Sequence, residues 1–185
     1  MARRTLAAPL RHVKAATDLS SDSALSAAPS AMAQWVVFGL DECRYALPLR
    51  AVDRFVRAAY VTPLPSAPPI VFGVLNIEGQ VLPVFNVRRK FRLSEREIRP
   101  EDQFLIARNA QRTVVLVVDS AHGVLELAPG IPIDAATLLP DRGHIRGVIP
   151  LEDGLVLIHD LDLLLSPDET RTLDEALNQG DSRAV

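Results

Sequence analysis

The stretch 73–91, GVLNIEGQVLPVFNVRRKF, constrains the fold more than any other part of the chain. Two apolar runs rich in β-branched residues flank the polar corner 78–80, and basic residues 88–90 close the stretch. β-Branched residues favour extended backbone, and glycine permits the positive φ that a tight reversal needs. The pattern therefore predicts a β-hairpin that ends in a short basic segment.

The same plan recurs in the second half of the chain. Residues 147–158 repeat the apolar spacing of 73–84, 74 positions later, and residues 109–124 repeat that of 41–56, 68 positions later. This weak duplication of a unit of roughly seventy residues predicts two similar five-strand units. Closed or nearly closed barrels would remove the exposed strand edges of units this small.

Composition separates the N-terminal segment from this region. Residues 1–33 are rich in Ala and Ser, with four basic residues and no acid before Asp18. An organellar transit peptide and a flexible tail both fit that composition, and we interpret the segment as a tail.

The remaining chain is expected to form one β region, 34–166, followed by a C-terminal helix and tail at 167–185. Subdomain 1 is placed at about 34–93 and subdomain 2 at about 102–166, with strand exchange between them an open option. The C-terminal helix is predicted at 170–178, with Ser166 or Asp168 as its N-cap.

Three local features refine this outline. Pro48 has no N–H to donate, so its strand is expected at a sheet edge or a bulge. Residues 51–61 are interpreted as a strand with a bend near Asp53. Short helices are predicted at 88–91 and 161–165, one at the end of each unit.

Composition also excludes several classes of function. A net charge of −3 gives no nucleic-acid-binding footprint, and no apolar run reaches the ~20 residues that membrane insertion needs. The single cysteine, Cys43, excludes an intrachain disulfide and fits a reducing compartment. The four histidines lack metal-ligand spacing, and no glycine-rich phosphate loop occurs, so neither a metal nor a cofactor is expected.

One catalytic alternative remains open at this stage. Asp119, Ser120 and His122 lie close in sequence and carry the groups of a hydrolytic triad. However, no G-x-S-x-G elbow is present, and triads are assembled by the fold rather than by such clustering. A solvated turn is the preferred interpretation of these three residues.

A series of short motifs, in order along the chain, resembles the CheW-like domain. The resemblance covers about 34–166 and is carried by YALPL (45–49), VxRFV (52–56), TPLPxAP (62–68), GVLNIEG (73–79), LPVFNVR (82–88), LVVDSxxGVLEL (116–127) and GVIPLEDGLVLIHDLDLL (147–164). It implies two SH3-like five-stranded barrels packed around a shared hydrophobic seam, in agreement with the repeat.

The resemblance also implies a function. Proteins of this family are non-enzymatic cytoplasmic adaptors that link the cytoplasmic tip of methyl-accepting chemoreceptors to the regulatory domain of a histidine autokinase in two-component signalling. An alternative is a similar scaffold in a non-flagellar pathway, such as pilus motility or a cyclic-nucleotide output. A hydrolase at the Asp119 cluster is the remote alternative.

A receptor tip is a helical hairpin, and binding it requires an apolar groove with a few polar anchors. The residues that the resemblance and this requirement point to are Val52, Arg54, Phe72, Asn76, Ile77, Glu78 and Gly79, with Phe55 as a further groove candidate.

This chain departs from the family pattern at three positions. The family usually has Arg where this chain has Glu78, and an acid where it has Arg54, so both charges are reversed. An Arg54–Glu78 ion pair and two unrelated surface charges are the alternatives. Asn86 stands where the family often has Asp.

Overall fold

The computed structural model describes residues 32–128, 133–134 and 145–181, and within them it is mostly β. The strands are β1 (Ala33–Leu40), β2 (Cys43–Pro48), β3 (Val52–Arg57), β4 (Val71–Ile77), β5 (Gln80–Phe85), β6 (Gln103–Arg108), β7 (Thr113–Val118), β8 (Ser120–Leu127), β9 (Ile133–Asp134), β10 (Ile145–Leu151) and β11 (Gly154–His159). The helices are α1 (Val87–Phe91) and α2 (Pro167–Asp181), with 3₁₀ turns at Leu49–Ala51 and Leu161–Leu163.

The strands form two sheets, and each sheet draws strands from both halves of the chain. The first sheet has the order β8-β1-β2-β11-β10-β9, and the second has the order β3-β6-β7-β5-β4. Strands β1 and β2 therefore pair with C-terminal strands, while β6 and β7 pair with N-terminal ones. The mostly β fold with a C-terminal helix is confirmed; barrel closure and the two subdomain boundaries remain predictions.

The duplication is visible in the pairing registers. Hairpins β4–β5 and β10–β11 have the same lengths 74 positions apart, and each contains a register shift at its second residue, Phe72 or Arg146. In the other strands the repeat offset is 69 positions. The pair Arg54–Ile106 of strands β3 and β6 matches the pair Gly123–Val37 of strands β8 and β1. The register shifts at Asp53 and His122 are also 69 positions apart.

The 68-position offset expected for these strands is therefore wrong by one residue. Side chains alternate between the two faces of a strand, so a one-residue slip exchanges the buried faces. The apolar pattern did not reveal the slip because these strands are buried on both faces. In β6, for example, Phe104 and Ile106 face one cluster while Leu105 and Ala107 face another.

Three apolar clusters follow from this alternation. The shared core lies between the two sheets and contains Phe38, Tyr45, Phe85, Leu105, Leu116 and Leu173 of α2. The first-sheet interior contains Val37, Ala46 and Ile149, and the second-sheet interior contains Val84, Phe104 and Val115. Burial of each large apolar side chain contributes about 1.5–3 kcal/mol, so the shared core holds the sheets together.

Several local predictions meet the structure here. The bend near Asp53 is present as the register shift in β3. Pro48 is not on an edge strand: β2 lies inside the first sheet, and Pro48 is its last residue, where a missing N–H interrupts little. The predicted helix 170–178 lies within the longer α2, and the predicted tail 1–33 falls outside the described residues except for Met32 and Ala33.

Helix α2 begins with a capping box. The Ser166 hydroxyl accepts the Glu169 N–H at 3.2 Å, and the Glu169 carboxylate accepts the Ser166 N–H at 2.8 Å. Such reciprocal bonds satisfy two amide donors at the start of a helix. The helix then buries Leu173 in the shared core, and Ala176 is also buried.

Candidate partner-binding groove

The turn between β4 and β5 is a two-residue turn formed by Glu78 and Gly79. Their φ angles are 53° and 85°, which is the left-handed pair that a hairpin turn of the I′ type requires. The Asn76 side-chain oxygen accepts a hydrogen bond from the Gly79 N–H at 3.0 Å, and this bond stabilises the turn. Glu78 is uncommon at such a position, because a non-glycine residue there is strained by about 1–3 kcal/mol.

Arg54 and Glu78 form the ion pair that the reversed charges suggested. The Arg54 guanidinium lies 3.2 Å from the Glu78 carboxylate and 3.0 Å from the Asp53 carboxylate. Strands β3 and β4 are the two edges of the second sheet, so the pair bridges those edges. Because Arg54 is 41% and Glu78 81% exposed, the pair contributes about 0.2–1 kcal/mol and acts mainly on local geometry.

A groove of about 480 Å³ lies beside this pair, at one end of the second sheet. Its apolar lining comes from Val52, Ile77, Leu82 and Ile106, and its charged rim comes from Arg50, Asp53, Arg54, Glu78 and Arg108. The exposed lining is mostly polar, and Leu82 and Ile106 are largely buried in the second-sheet interior. A concave surface that combines charged groups with a smaller apolar part can receive a protruding partner segment.

A partly buried charge cluster at the opposite end of the strands of the second sheet holds the surrounding loops. The Arg88 side chain is 7% exposed, and its guanidinium lies 2.8 Å from Asp41 and 2.6 Å from Asp119. Arg96 lies 2.7 Å from both Asp102 and Asp119. The cluster thus joins the β1–β2 turn, α1, the segment before β6 and the β7–β8 turn.

The pKa values in this charge cluster shift as expected for strong pairing. The hydrogen bond from Arg88 lowers the pKa of Asp41 below its ordinary value, against the effect of burial. Burial would raise the pKa of Asp102, but hydrogen bonds from Arg96 and the Arg99 backbone outweigh it, and that pKa is lowered. The bond to Asp102 is the largest cause that raises the pKa of Arg96.

The structure contradicts the hydrolase alternative. Both carboxylate oxygens of Asp119 are engaged by Arg88, and further contacts come from Arg96 and the Asp41 N–H. The Ser120 hydroxyl does lie 3.2 Å from His122 Nε2, but no acid among the described residues is hydrogen-bonded to that imidazole. Burial and the nearby Arg44 lower the pKa of His122. A Ser–His contact without its third group is not a triad.

Two further site classes find no support in the described parts of the chain. No group of three or more His, Cys, Asp or Glu side chains is arranged to hold a metal ion there. None of the helices in those parts is both long and apolar enough to cross a membrane.

Comparison with known proteins decides the family. The model of the CheW-like domain matches residues 34–169, most of the chain. The chain belongs to the CheW-like domain family. It is similar to chemotaxis protein CheW of Treponema pallidum, with 24% identity over 146 residues that cover 76% of this chain and 86% of the relative.

Other relatives and a solved structure extend the comparison. Chemotaxis protein CheW of Bacillus subtilis is 26% identical, covering 74% of this chain and 89% of the relative. Protein FrzA of Myxococcus xanthus is 28% identical, covering 71% and 82%. The crystal structure of the scaffolding protein TtCheW from Thermoanaerobacter tengcongensis shares the fold, with a TM-score of 0.69, 22% identity and coverage of 75% and 96%.

The structure brings four of the candidate residues of this CheW-like domain to one place. Val52, Arg54, Ile77 and Glu78 line the groove. Asn76 and Gly79 hold the turn beside it and do not line it. The side chain of Phe72 is partly buried against the second-sheet interior, away from the groove lining.

Phe55, the further groove candidate, also lies elsewhere. It packs against the shared core instead of the groove. Alternation explains the error, because Phe55 follows Arg54 directly and points to the opposite face.

Sequence reasoning missed the rest of the groove and the whole charge cluster. Arg50 and Arg108 come from segments far apart in sequence, which only the pairing of β3 with β6 brings together. Arg88 was recognised only as part of a basic segment. A signal was present in the LPVFNVR motif, where an arginine directly follows an apolar run, but nothing in the sequence identifies its partners.

Asn86 fits its position in this CheW-like domain through its amide. Its side-chain oxygen accepts the Arg89 N–H at the start of α1, and its nitrogen donates to Glu95 at 3.0 Å. An aspartate has no such donor and would place a second carboxylate beside Glu95. This explains why the chain tolerates Asn where the family often has Asp.

Proposed function

We propose that this protein is a non-enzymatic cytoplasmic adaptor that couples methyl-accepting chemoreceptors to a histidine autokinase. Membership of the CheW-like domain family supports the proposal, as does similarity to several proteins named chemotaxis protein CheW and to a solved scaffolding protein. The observation that carries it is the groove, where Val52 and Ile77 lie among charged residues beside the Arg54–Glu78 pair.

The groove residues receive distinct roles in this proposal. Val52 and Ile77 contact apolar side chains of the receptor tip, while Arg54 and Glu78 anchor polar groups at the rim. Asn76 and Gly79 hold the turn that presents Glu78, and Phe72 supports β4 from the second-sheet interior. The regulatory domain of the kinase docks on a different surface, so both partners bind at once.

The test is reconstitution with partners from the same source. Purified protein should bind the cytoplasmic hairpin of a receptor and the regulatory domain of the kinase, and it should hold both in one complex on size-exclusion chromatography. If neither partner associates with it, the proposed function is wrong.

Two variants localise receptor binding. Glu78→Arg should weaken binding of the receptor hairpin, because it breaks the Arg54–Glu78 pair and sets two cations against each other in the turn that borders the groove. Glu152→Arg is the matched control: Glu152 is the repeat counterpart of Glu78, in the β10–β11 turn, and is also exposed. Equal losses of affinity for the two variants would contradict the groove assignment.

The pathway served by the adaptor is a separate question. We assign it to chemotaxis on the names of its relatives, and the genes beside its own give the direct check. Flagellar and receptor genes there would support chemotaxis, whereas pilus genes or cyclic-nucleotide enzymes would favour the non-flagellar alternative.

A further inference from the structure

Two arginines on the groove rim are not neutralised by the protein. Arg54 is compensated by Asp53 and Glu78, but no hydrogen bond or ion pair within the described residues engages the guanidinium of Arg50 or of Arg108. Both residues are exposed. The rim therefore carries three arginines against two carboxylates, on a chain whose net charge is −3.

We propose that the receptor helix entering this groove is acidic: it places carboxylates against Arg50 and Arg108 and an apolar side chain against Val52 and Ile77. This inference rests on the proposed adaptor function and adds the chemistry of the partner surface. Guanidinium groups bind carboxylates with two parallel hydrogen bonds, so a pair of unengaged arginines in a mostly polar groove selects for acidic side chains.

The positions of the two arginines suit such a partner. Arg50 lies in the 3₁₀ turn before β3, and Arg108 ends β6, the strand that pairs with β3. The Ala107–Val52 pair joins these strands at the same end of the sheet, where Val52 lines the groove and also packs against the shared core. A partner side chain against Val52 would therefore be bordered by cations from two neighbouring segments.

The equivalent turn of the first sheet, between β10 and β11, shows how this fold holds an arginine that has a structural role. Arg44 lies beside the β10–β11 turn, where it contacts both carboxylate oxygens of Asp153, at 2.9 and 3.0 Å, and its backbone carbonyl at 3.1 Å. Its side chain is 17% exposed. Among the described residues Arg50 and Arg108 have no comparable partner, and unlike the exposed Arg57 of β3 they lie in the groove lining, where a partner segment can reach both.

The test uses single charge reversals and a matched control. Arg50→Glu and Arg108→Glu should each weaken binding of the receptor hairpin roughly fivefold or more, since each reversal replaces attraction by repulsion. Arg57→Glu makes the same charge change at an exposed arginine of β3 outside the groove lining, and it should alter affinity less than about twofold. All three variants should keep the wild-type melting temperature, because none of these arginines forms an ion pair within the described residues.

Two further measurements sharpen the test. Wild-type affinity for the hairpin should fall as NaCl rises, and the fall should be shallower for the double variant Arg50→Glu/Arg108→Glu. Replacing hairpin carboxylates by amides should weaken binding to the wild-type protein more than to the double variant, as expected for directly coupled groups.

Three results would overturn the inference. The first is a loss of hairpin affinity no larger for the groove variants than for Arg57→Glu, which would leave the adaptor function intact. The second is a selective loss of kinase-domain affinity, which would assign the groove to the kinase. The third is no binding of the hairpin by the wild-type protein, which would refute receptor coupling as well.

Discussion

The turns of β4–β5 and β10–β11 occupy equivalent places in the two sheets, yet each pairs with an arginine from a different kind of strand. At the first turn, Arg54 comes from an edge strand and pairs with Glu78 across the surface. At the second, Arg44 comes from the internal strand β2 and pairs with Asp153. The 69-position register places Gly123 where the second sheet has Arg54, and Thr113 where the first sheet has Arg44.

The exchange of Arg44 for Thr113 determines which of the two turns borders an open groove. Thr113 is a short side chain that lines the groove, whereas the long, mostly buried Arg44 occupies the corresponding space of the first sheet. One duplicated hairpin has thus become a sealed corner and the other an open groove. A change of residue size on an internal strand is enough to separate a filled end from an open one.

The largest expected effect comes from disrupting the charge cluster around Arg88. Arg88→Ala removes the cation between Asp41 and Asp119 and leaves carboxylates without their partner, at a cost of about 3–5 kcal/mol in the free energy of unfolding. Urea denaturation followed by circular dichroism measures the loss. A loss below about 1 kcal/mol would show that the charge cluster does not support the fold.

The pH dependence of unfolding gives a control for that variant. Because the folded-state pKa values of Asp41 and Asp102 are lowered, their contribution is complete above their unfolded pKa, near pH 4, and is lost as the pH falls through the folded values. Wild-type stability should therefore decline below about pH 4, and Arg88→Ala should show a smaller decline. Identical pH profiles would argue against the assigned role of Arg88.

Filling the groove with a long side chain should reproduce the arrangement beside the β10–β11 turn. Thr113→Arg places at the groove the residue type that closes the first sheet, and it should weaken receptor-hairpin binding by roughly tenfold or more, or about 1.4 kcal/mol. Isothermal titration measures the affinity, and Thr113→Val controls for loss of the hydroxyl. Unchanged affinity in a folded Thr113→Arg variant would mean that the groove does not receive the hairpin.

The smallest effect concerns the exposed ion pair. Arg54→Glu alone should reduce stability or receptor binding, and adding Glu78→Arg should restore part of the loss, with a coupling energy of about 0.2–1 kcal/mol. A double-mutant cycle in low salt measures this energy. Strictly additive effects would show that the two charges act independently.

The sequence was sufficient for the parts of this account that depend on local pattern. The hairpin at 73–91, its repeat 74 positions later and the bend near Asp53 all follow from apolar spacing and turn residues. The proximity of Arg54 and Glu78 was suggested because two charges were reversed together relative to the family.

The parts that failed depend on long-range register. Strands such as β6 are apolar on both faces, so alternation does not mark their register. Phe72 lies at the register shift in β4, which its sequence does not reveal. The one-residue slip in the repeat and the internal place of Pro48 have the same origin. Arg50 and Arg108 approach one another only through the pairing of β3 with β6, which spacing along the chain does not specify.

The most direct test of the central claim is a footprint of the receptor hairpin on the protein. Backbone amide shifts followed by NMR during titration should change at the groove, in residues 50–54, 77–82 and 106–108. The sealed corner at 151–155 should not respond. Shifts of equal size at both corners, or changes confined to 151–155, would contradict the assignment of the open end as the binding end.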